Sequence, residues 1–419
     1  MRNTTQTKRA YIVCYGKTLE EEAKELFVGD NVKIHTSHAL ALSYLPSNLK
    51  ESVLARTNMI LNTSAVLNYS GFKGHINAQM FVKIPTGTIA KCIKIISKQF
   101  IETASEKVSE IHLNKEFFTA LKSLEKQNKL DEKNKVAFKE LMLECASKLT
   151  TEMMDLNSSC PTTHDGYLKS WQLSNPVLDY DYILFDEAQD SNPVLLHIIL
   201  SQQCQKILVA DSYQNIFQFR GSLNVLKMIS FDKYPLTHSF RYGQDLADLA
   251  SKVLNHIDNK IAITGRGYDT QIIKGSECEH SEPFLFIAYT NFSTYEVLTD
   301  CYQSDVPAKI LGDTKVQNAQ SVLSSLISFS RHGLATHNDH KKYKSFSELL
   351  ERNNKGGELS KLAEMVNSNI EYAEDLLKAF EWSKSFSNDQ VVVTLITAHL
   401  SKGLEADNVF IADDFLFCH

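Results

Sequence analysis

Short apolar runs, separated by longer stretches with helical periodicity, constrain the fold of this chain more than any other sequence feature. Near-continuous apolar runs of about four to eight residues are typical of parallel strands that helices cover on both faces. The candidate strands are Tyr11–Tyr15, Asn31–His35, Tyr182–Phe185, Lys206–Ala210, Tyr234–Thr237, Phe284–Tyr289, Lys309–Leu311, Val391–Ile396 and Asn408–Ala412. This pattern predicts an α/β fold with two parallel-sheet domains.

Helical stretches rich in Lys and Glu interrupt both predicted sheets. The 419 residues also exceed the size of about 150 residues that is typical of a single domain. We therefore predict a first sheet domain from residues 1–44 and 173–282, with a helical insertion at 45–172. A second sheet domain is predicted from residues 283–314 and 388–419, with a helical insertion at 315–387.

Composition limits the kind of partner. The 44 Lys and Arg against 50 Asp and Glu give a net charge of −6, so any nucleic-acid contact must be local and not a general effect of positive charge. The eight cysteines are scattered without a C-x-x-C pair, which favours a reducing compartment. No apolar run approaches the ~20 residues that span a bilayer, and no signal-peptide pattern is present. We expect an intracellular protein without a membrane partner.

The strongest local signal for chemistry is Asp186-Glu187-Ala188-Gln189-Asp190, directly after the strand Tyr182–Phe185. Open parallel sheets bind ligands at the carboxyl ends of their strands. A carboxylate there can hold Mg²⁺ through water, and an adjacent one can orient and deprotonate the water that attacks a γ-phosphate. Asp186 would be the metal residue and Glu187 the base. The alternative is that the two acids cap the next helix.

Three further blocks follow predicted strands: Asp211 to Gly221, His238 to Gly243, and Thr397 to Val409. Their residues and order, together with the Asp-Glu block, resemble the motifs of UvrD/Rep-type superfamily 1 DNA helicases. The resemblance implies two RecA-like domains. It also implies ATP-driven translocation in the 3′ to 5′ direction on single-stranded DNA, in replication-fork and recombination repair.

The resemblance assigns a nucleotide role to residues in each block. It implies that Gln214 senses the γ-phosphate, and that Arg241 reaches the same phosphate as a bidentate cation. Phe240 would stack on adenine, while Gly403 and Glu405 would contact the nucleotide. The alternative for Arg241 is an ordinary surface arginine. ATP and Mg²⁺ are therefore the expected cofactors.

The resemblance also implies DNA contacts in the same blocks. Phe219 would stack on a base with Arg220 beside it, and Thr397 and His399 would bind the backbone. Base stacking contributes ~1–3 kcal/mol and tolerates any sequence, which suits a translocating motor. For Phe219 the alternative is burial in a core.

The N-terminal Tyr15-Gly16-Lys17-Thr18 ends like a phosphate loop, but it does not fit one. That loop needs a glycine five residues before the Gly-Lys pair, where this chain has Tyr11 inside a predicted strand. The region instead resembles the two DNA-contacting motifs that follow the phosphate loop in these helicases. Lys17, Thr36 and His38 become candidate DNA contacts.

Two segments resemble the F-box DNA helicase branch of the family: Thr163 to Pro176 and Phe410 to Phe415. Within the first, Tyr167, Leu168 and Trp171 share one helical face, so the segment can also be read as a helix that docks the insertion onto the sheet. The resemblance implies a nuclear location. It also implies a possible ubiquitin-ligase adaptor as partner, through an F-box outside this chain.

The family's phosphate loop would lie before residue 1 and its sixth motif after residue 419. We therefore expect the chain to be either a fragment of a helicase or an inactive, DNA-binding paralogue. Absence of the phosphate-loop strand should leave unpaired backbone groups beside the Asp186 strand. A helicase-nuclease branch of superfamily 1 is a third possibility, since its metal cluster would lie beyond His419.

Overall fold

The computed structural model describes residues 8–14, 17–214, 229–257, 262–274, 282–353 and 357–417. Contacts divide the chain into two compact units, Met1–Asp232 and Lys233–His419. Among the described residues, no helix is both long and apolar enough to cross a membrane.

The first unit is built on a sheet of four parallel strands in the order β2-β1-β3-β4. The strands are β1 (Ala10–Cys14), β2 (Val32–Thr36), β3 (Tyr182–Phe185) and β4 (Gln205–Leu208). Tyr11, Val13, Ile183 and Phe185 are buried in one core cluster with the covering helices. The predicted α/β fold class is confirmed. The predicted bounds of these four strands differ from the observed ones by at most two residues, and those of β3 agree.

Strand β3, which carries the Asp-Glu block at its end, is hydrogen-bonded to a neighbour on each side. It pairs with β1 and with β4, and the Val209 N–H donates to the Phe185 carbonyl at 2.9 Å. The expectation of unpaired backbone groups beside this strand is therefore wrong. Its physical basis was that a buried strand needs two partners, and here β4 supplies the second one directly.

Helices α1 (Lys17–Leu26) and α2 (Ser37–Ser43) follow β1 and β2. The insertion then contributes α3 (Ser47–Thr57), α4 (Thr63–Tyr69), α5 (Thr86–Ile101), α6 (Lys115–Lys126) and α7 (Lys135–Met154). Helices α4 to α7 enclose a core of their own, which includes Ile93, Phe117 and Phe138. Val53 of α3 instead packs in the core cluster of the first sheet. The predicted insertion is thus helical.

Helix α8 (His164–Leu173) returns the chain from the insertion to the sheet, and α9 (Pro193–Leu200) follows β3. Tyr167, Leu168 and Trp171 are buried in the cluster that contains the strands of the first sheet. On another side of α8, the buried Lys169 ammonium donates to the carbonyls of Thr103 and Ser105, just beyond α5. The docking role considered for this segment is what the structure shows.

The second unit begins with a short parallel pair, β5 (His238–Ser239) and β6 (Thr264–Gly265), and the helix α10 (Gln244–Asn255). The predicted strand over Tyr234–Thr237 is wrong, because pairing starts only at His238 and the side chains of Tyr234 and Leu236 are exposed. Sequence analysis placed residues 233–282 in the first domain, whereas their contacts group them with the second unit. The proposed domain division stays a prediction.

A second sheet of four parallel strands has the order β10-β7-β9-β8. Its strands are β7 (Phe284–Ala288), β8 (Ala308–Ile310), β9 (Val393–Thr397) and β10 (Val409–Ile411). The helices are α11 (Asn291–Gln303), α12 (Asp313–His332), α13 (Phe346–Arg352), α14 (Glu358–Ser368), α15 (Ile370–Ser383) and α16 (Ala398–Ser401). Leu323, Leu376, Phe380 and Leu395 are among the residues of their common core.

Candidate functional site

The carboxyl end of β3 places Asp186 and Glu187 side by side, both half-buried. The Asp186 amide donates to the Val13 carbonyl at 3.0 Å, and its Oδ1 accepts the Glu187 N–H at 2.9 Å. Glu187 has φ of +51°, a left-handed conformation that costs a non-glycine residue about 1–2 kcal/mol. The chain therefore turns sharply after the strand and holds both carboxylates at the sheet edge. Backbone strain of this kind often occurs at functional sites.

A buried amide links this edge to the next strand. Gln189 is only 1% exposed; its Nε2 donates to Glu187 Oε2 at 2.5 Å, and its Oε1 accepts the Asp211 N–H at 3.0 Å. Asp211 Oδ2 in turn accepts from Gln214 Nε2 at 2.9 Å. A chain of hydrogen bonds thus runs from Glu187 through Gln189 and Asp211 to Gln214. It joins two of the four predicted catalytic residues, and a third, Asp186, precedes Glu187 in sequence.

Gln189 and Asp211 have no role predicted from the sequence. The sequence indicates a role for them only by their position, because both are polar residues shortly after neighbouring strands of a parallel sheet. The alternative for the two acids is that they cap the next helix. Glu187 does occupy the N-cap position of the single 3-10 turn Ala188–Asp190, but its side chain makes no capping hydrogen bond there. Asn192 caps α9, with its Oδ1 accepting the Leu195 N–H at 2.9 Å.

The candidate metal residue fits Mg²⁺ by its chemistry. Among the described residues no group of three or more His, Cys, Asp or Glu side chains could hold a metal ion. Magnesium in nucleotide sites needs no such cage, because one or two carboxylates suffice when waters and phosphates complete the shell. A single carboxylate at a strand end, as at Asp186, is a donor set of that kind.

In the second unit the structure brings together Arg241 and Glu405, which come from separate predicted motifs. Arg241 Nε lies 2.5 Å from Glu405 Oε1, and their side chains are 68% and 62% exposed. Next to this ion pair in sequence, the Phe240 ring is 72% exposed and accessible for stacking. Gly403 adopts φ of +82°, which a residue with a Cβ rarely adopts.

The predicted DNA contacts of the second unit lie at the end of β9. Thr397 pairs with Ala288 in the sheet and is 6% exposed. His399 is half-buried in the short helix α16 that begins at the next residue. Thr397 and His399 thus lie at the carboxyl edge of the second sheet, but Thr397 exposes little surface there.

The predicted DNA contacts of the first unit lie at the carboxyl ends of β1 and β2. Lys17 is exposed at the start of α1. Thr36 caps α2, and its Oγ1 accepts the Ala39 N–H at 3.4 Å. His38 Nε2 lies 3.2 Å from Asp165 Oδ1, a contact that lowers the pKa of Asp165. Phe219 and Arg220 lie outside the described residues, as do Tyr15 and Gly16.

The terminal segment contains a residue that sequence analysis did not single out. Asp414 accepts hydrogen bonds from the backbone N–H groups of Tyr289 and Thr290, both at 2.9 Å, and from Ser293 Oγ at 2.7 Å. Burial raises the pKa of Asp414, but these hydrogen bonds outweigh it and the pKa is lowered. Asp414 therefore fixes the chain after β10 to the start of α11.

Comparison with known proteins decides the family. Residues 5–233 match the family model described as the UvrD/REP helicase N-terminal domain, which is more than half of the chain. The chain belongs to the UvrD/REP helicase family. The resemblance on which the sequence analysis relied is thereby confirmed. The match does not test the individual roles of the site residues, which stay predictions.

Individual relatives agree with this family. The chain is 27% identical to F-box DNA helicase 1 of Gallus gallus over 436 residues, and 27% identical to F-box DNA helicase protein 1 of Schizosaccharomyces pombe over 437 residues. Each alignment covers 96% of this chain, but only 40% and 47% of the two relatives. A 92-residue stretch is 30% identical to the ATP-dependent DNA helicase PcrA of Leuconostoc citreum, over 20% of this chain and 12% of that protein.

Proposed function

We propose that this UvrD/REP family protein is an ATP-dependent DNA helicase or translocase. The observation that carries the proposal is the hydrogen-bond chain Glu187–Gln189–Asp211–Gln214 at the carboxyl edge of a parallel sheet. It connects a carboxylate suited to activating water with an amide suited to detecting a phosphate. Such a link is useful where hydrolysis must be coordinated with the presence of the γ-phosphate.

In this proposal Glu187 orients and deprotonates the attacking water. The hydrogen bond from Gln189 to Oε2 fixes the carboxylate, so that its orientation does not depend on bound ligand. Gln214 contacts the γ-phosphate, and Asp211 holds its amide group. Asp186 would hold Mg²⁺ through water, and the ion would offset negative charge on the phosphates.

Arg241 and Phe240 are the proposed nucleotide contacts of the second unit. The exposed pair of Arg241 with Glu405 keeps the guanidinium oriented while the surface is free to exchange partners. Exposed ion pairs contribute about 0–1 kcal/mol, so a phosphate can replace Glu405 at small cost. Phe240 stacks on the adenine ring, and Gly403 allows the backbone of the same segment to approach the nucleotide.

The DNA substrate is proposed to be single-stranded, with movement in the 3′ to 5′ direction and a role in replication-fork and recombination repair. Lys17, Thr36, His38, Phe219, Arg220, Thr397 and His399 are the proposed contacts. Similarity to two proteins named as F-box DNA helicases supports that branch of the family. With that assignment we further propose a nuclear location, and a ubiquitin-ligase adaptor as partner of an F-box outside these 419 residues.

The test is DNA-stimulated ATP hydrolysis by the full-length protein that contains this chain, with Glu187→Gln as the decisive variant. Loss of a general base typically lowers the rate by about 10²- to 10⁴-fold. Glu116→Gln, which alters an exposed acid paired with Lys91 in the insertion, is the matched control.

The expected result is hydrolysis in the wild type and in Glu116→Gln, with loss in Glu187→Gln. DNA binding without hydrolysis in the wild type would instead establish an inactive DNA-binding paralogue. Unwinding of a 3′-tailed but not a 5′-tailed duplex is the expected polarity. The opposite preference would overturn the proposed direction while leaving the ATPase proposal intact.

A further inference from the structure

Asp165 lies in the first turn of α8, between two segments that lie at or next to predicted functional residues. Its Oδ1 lies 3.2 Å from Nε2 of His38, in the first turn of α2, and accepts from Asn192 Nδ2 at 3.4 Å. Asn192 follows the Asp186–Asp190 block by two residues. One carboxylate oxygen thus contacts both the start of α2, which carries a predicted DNA contact, and the loop after the predicted catalytic acids.

Both neighbours of Asp165 have their orientation fixed by other contacts. Asn192 Oδ1 accepts the Leu195 N–H at 2.9 Å as the cap of α9, so its amide nitrogen points to Asp165. The His38 ring lies against two residues of α8, with centroids 5.6 Å from His164 and 6.2 Å from Tyr167. The contacts of Asp165 with His38 and Asn192 are therefore made by side chains whose positions other residues fix.

Helix α8 is itself held firmly within the first unit. Tyr167 and Leu168 are 3% and 1% exposed in the core against the sheet, and Lys169 is fully buried. The Lys169 ammonium donates to two backbone carbonyls and to Gln172 Oε1 at 2.6 Å. A residue in the first turn of such a helix stays in place. Because His38 and Asn192 share its one oxygen, a change in one contact alters the other.

We propose that Asp165 is a positioning residue that couples DNA binding at His38 to ATP hydrolysis, because one oxygen of its carboxylate contacts both His38 and Asn192. When bound DNA displaces His38, Asp165 Oδ1 loses one of its two contacts, and its hydrogen bond to Asn192 changes as a result. The two sites are then coupled through one shared acceptor, and such a coupling free energy acts in both directions. The inference rests on the proposed function, which supplies the DNA and the ATP.

The experiment measures ATP hydrolysis of the full-length protein with and without an oligo(dT) strand, and the binding of the same fluorescently labelled strand without nucleotide. The variants are Asp165→Ala, Asp165→Asn, His38→Ala and the double variant Asp165→Ala/His38→Ala. Glu116→Gln is again the control, because it is also a first-turn acid, on α6 in the insertion. Thermal unfolding of each variant reports whether it folds.

Asp165→Ala is expected to lower the ratio of DNA-stimulated to unstimulated rate by about tenfold, since allosteric couplings commonly lie between about 5-fold and 150-fold. Asp165→Asn retains an acceptor oxygen and should lose about threefold, so it also tests the idea if the alanine variant does not fold. In the His38→Ala background, Asp165→Ala should have little further effect, since interacting residues are non-additive. A merely structural role would give additive losses.

Two negative outcomes are distinguishable. If the wild type hydrolyses ATP with DNA stimulation and both Asp165 variants retain the wild-type ratio, or if the losses add in the double variant, the coupling role is overturned while the proposed function stands. If the wild type shows no DNA-stimulated hydrolysis at all, the proposed function itself fails. In that case DNA binding by the same variants still shows whether Asp165 positions His38.

Discussion

The two predicted nucleotide regions are held in very different ways. In the first unit, Glu187 and Gln214 are linked through Gln189, whose side chain is 1% exposed and hydrogen-bonded at both ends. In the second unit, Arg241 and Glu405 form an ion pair whose side chains are 68% and 62% exposed. Hydrogen bonds of a buried amide resist rearrangement because an unpaired buried polar group costs about 1–3 kcal/mol, while an exposed pair can exchange with water or ligand.

This contrast matches the two kinds of chemistry proposed. A base that activates water must be in place before the reaction, which favours a rigid region. An arginine that contacts the γ-phosphate only in some nucleotide states must be able to change its partner. The difference predicts large effects for changes to the buried link and small, salt-dependent effects for the exposed pair.

Among the variants that test this contrast, the largest effect is expected from Gln189→Ala. It removes both hydrogen bonds of the buried link, and loss of a supporting partner in an active site typically lowers activity by about 10- to 100-fold. ATP turnover of the full-length protein measures this. Gln203→Ala, at an exposed glutamine of the same unit, is the matched control. Turnover within twofold of wild type would break the comparison, because the link would then be dispensable.

A second prediction asks whether the second unit also contains a rigid carboxylate. Asp414→Ala removes the acceptor of several hydrogen bonds at the start of α11 and should lower the free energy of unfolding by about 1–3 kcal/mol at pH 7. Urea unfolding measures it, with the adjacent exposed Asp413→Ala as control. Equal effects of the two variants would contradict a special role of Asp414.

The same residue predicts a pH dependence. Because the folded-state pKa of Asp414 is lowered, its contribution to stability is present above the unfolded-state pKa of about 3.9 and is lost as the pH falls through the folded value. The stability difference between wild type and Asp414→Ala should therefore shrink as the pH is lowered from 7 towards 3. A difference that grows on acidification would show that the sign is wrong.

The smallest effect is expected from Glu405→Gln. Exposed pairs contribute about 0–1 kcal/mol and are screened by salt, so the free energy of unfolding should fall by less than about 1 kcal/mol at low salt. At 0.5 M KCl, where the Debye length is only a few ångströms, the free energies of unfolding of Glu405→Gln and the wild type should be about equal. Urea unfolding at the two salt concentrations tests this. If Glu405→Gln lowered the free energy of unfolding by more than about 2 kcal/mol at high salt, the exposed ion pair would be as important for stability as a buried interaction. The contrast between the two regions would then be wrong.

Local pattern alone determined much of this protein. Apolar runs predicted the strands of two parallel sheets, and the residues directly after them identified the sheet edges where Asp186 and Thr397 lie. The predictions were wrong where the apolar pattern does not determine which backbone groups pair. The run Tyr234–Thr237 is apolar enough for a strand, but pairing begins only at His238. The β3–β4 pairing, which supplies the second neighbour of the Asp186 strand, is a choice among strands that periodicity does not encode.

Tertiary structure alone decided which side chains meet. The Gln189–Asp211 hydrogen bond spans 22 residues of sequence and the His38–Asp165 contact spans 127, so neither has a local signature. Each contact depends on which strands are neighbours and on their register. Parallel pairing places the carboxyl ends of β2, β3 and β4 at one edge of the sheet. The sequence by itself determined the residue types and the edge at which they lie. The order and register of the strands determined their partners, because hydrogen bonds form only between groups that the packed sheet brings within about 3 Å.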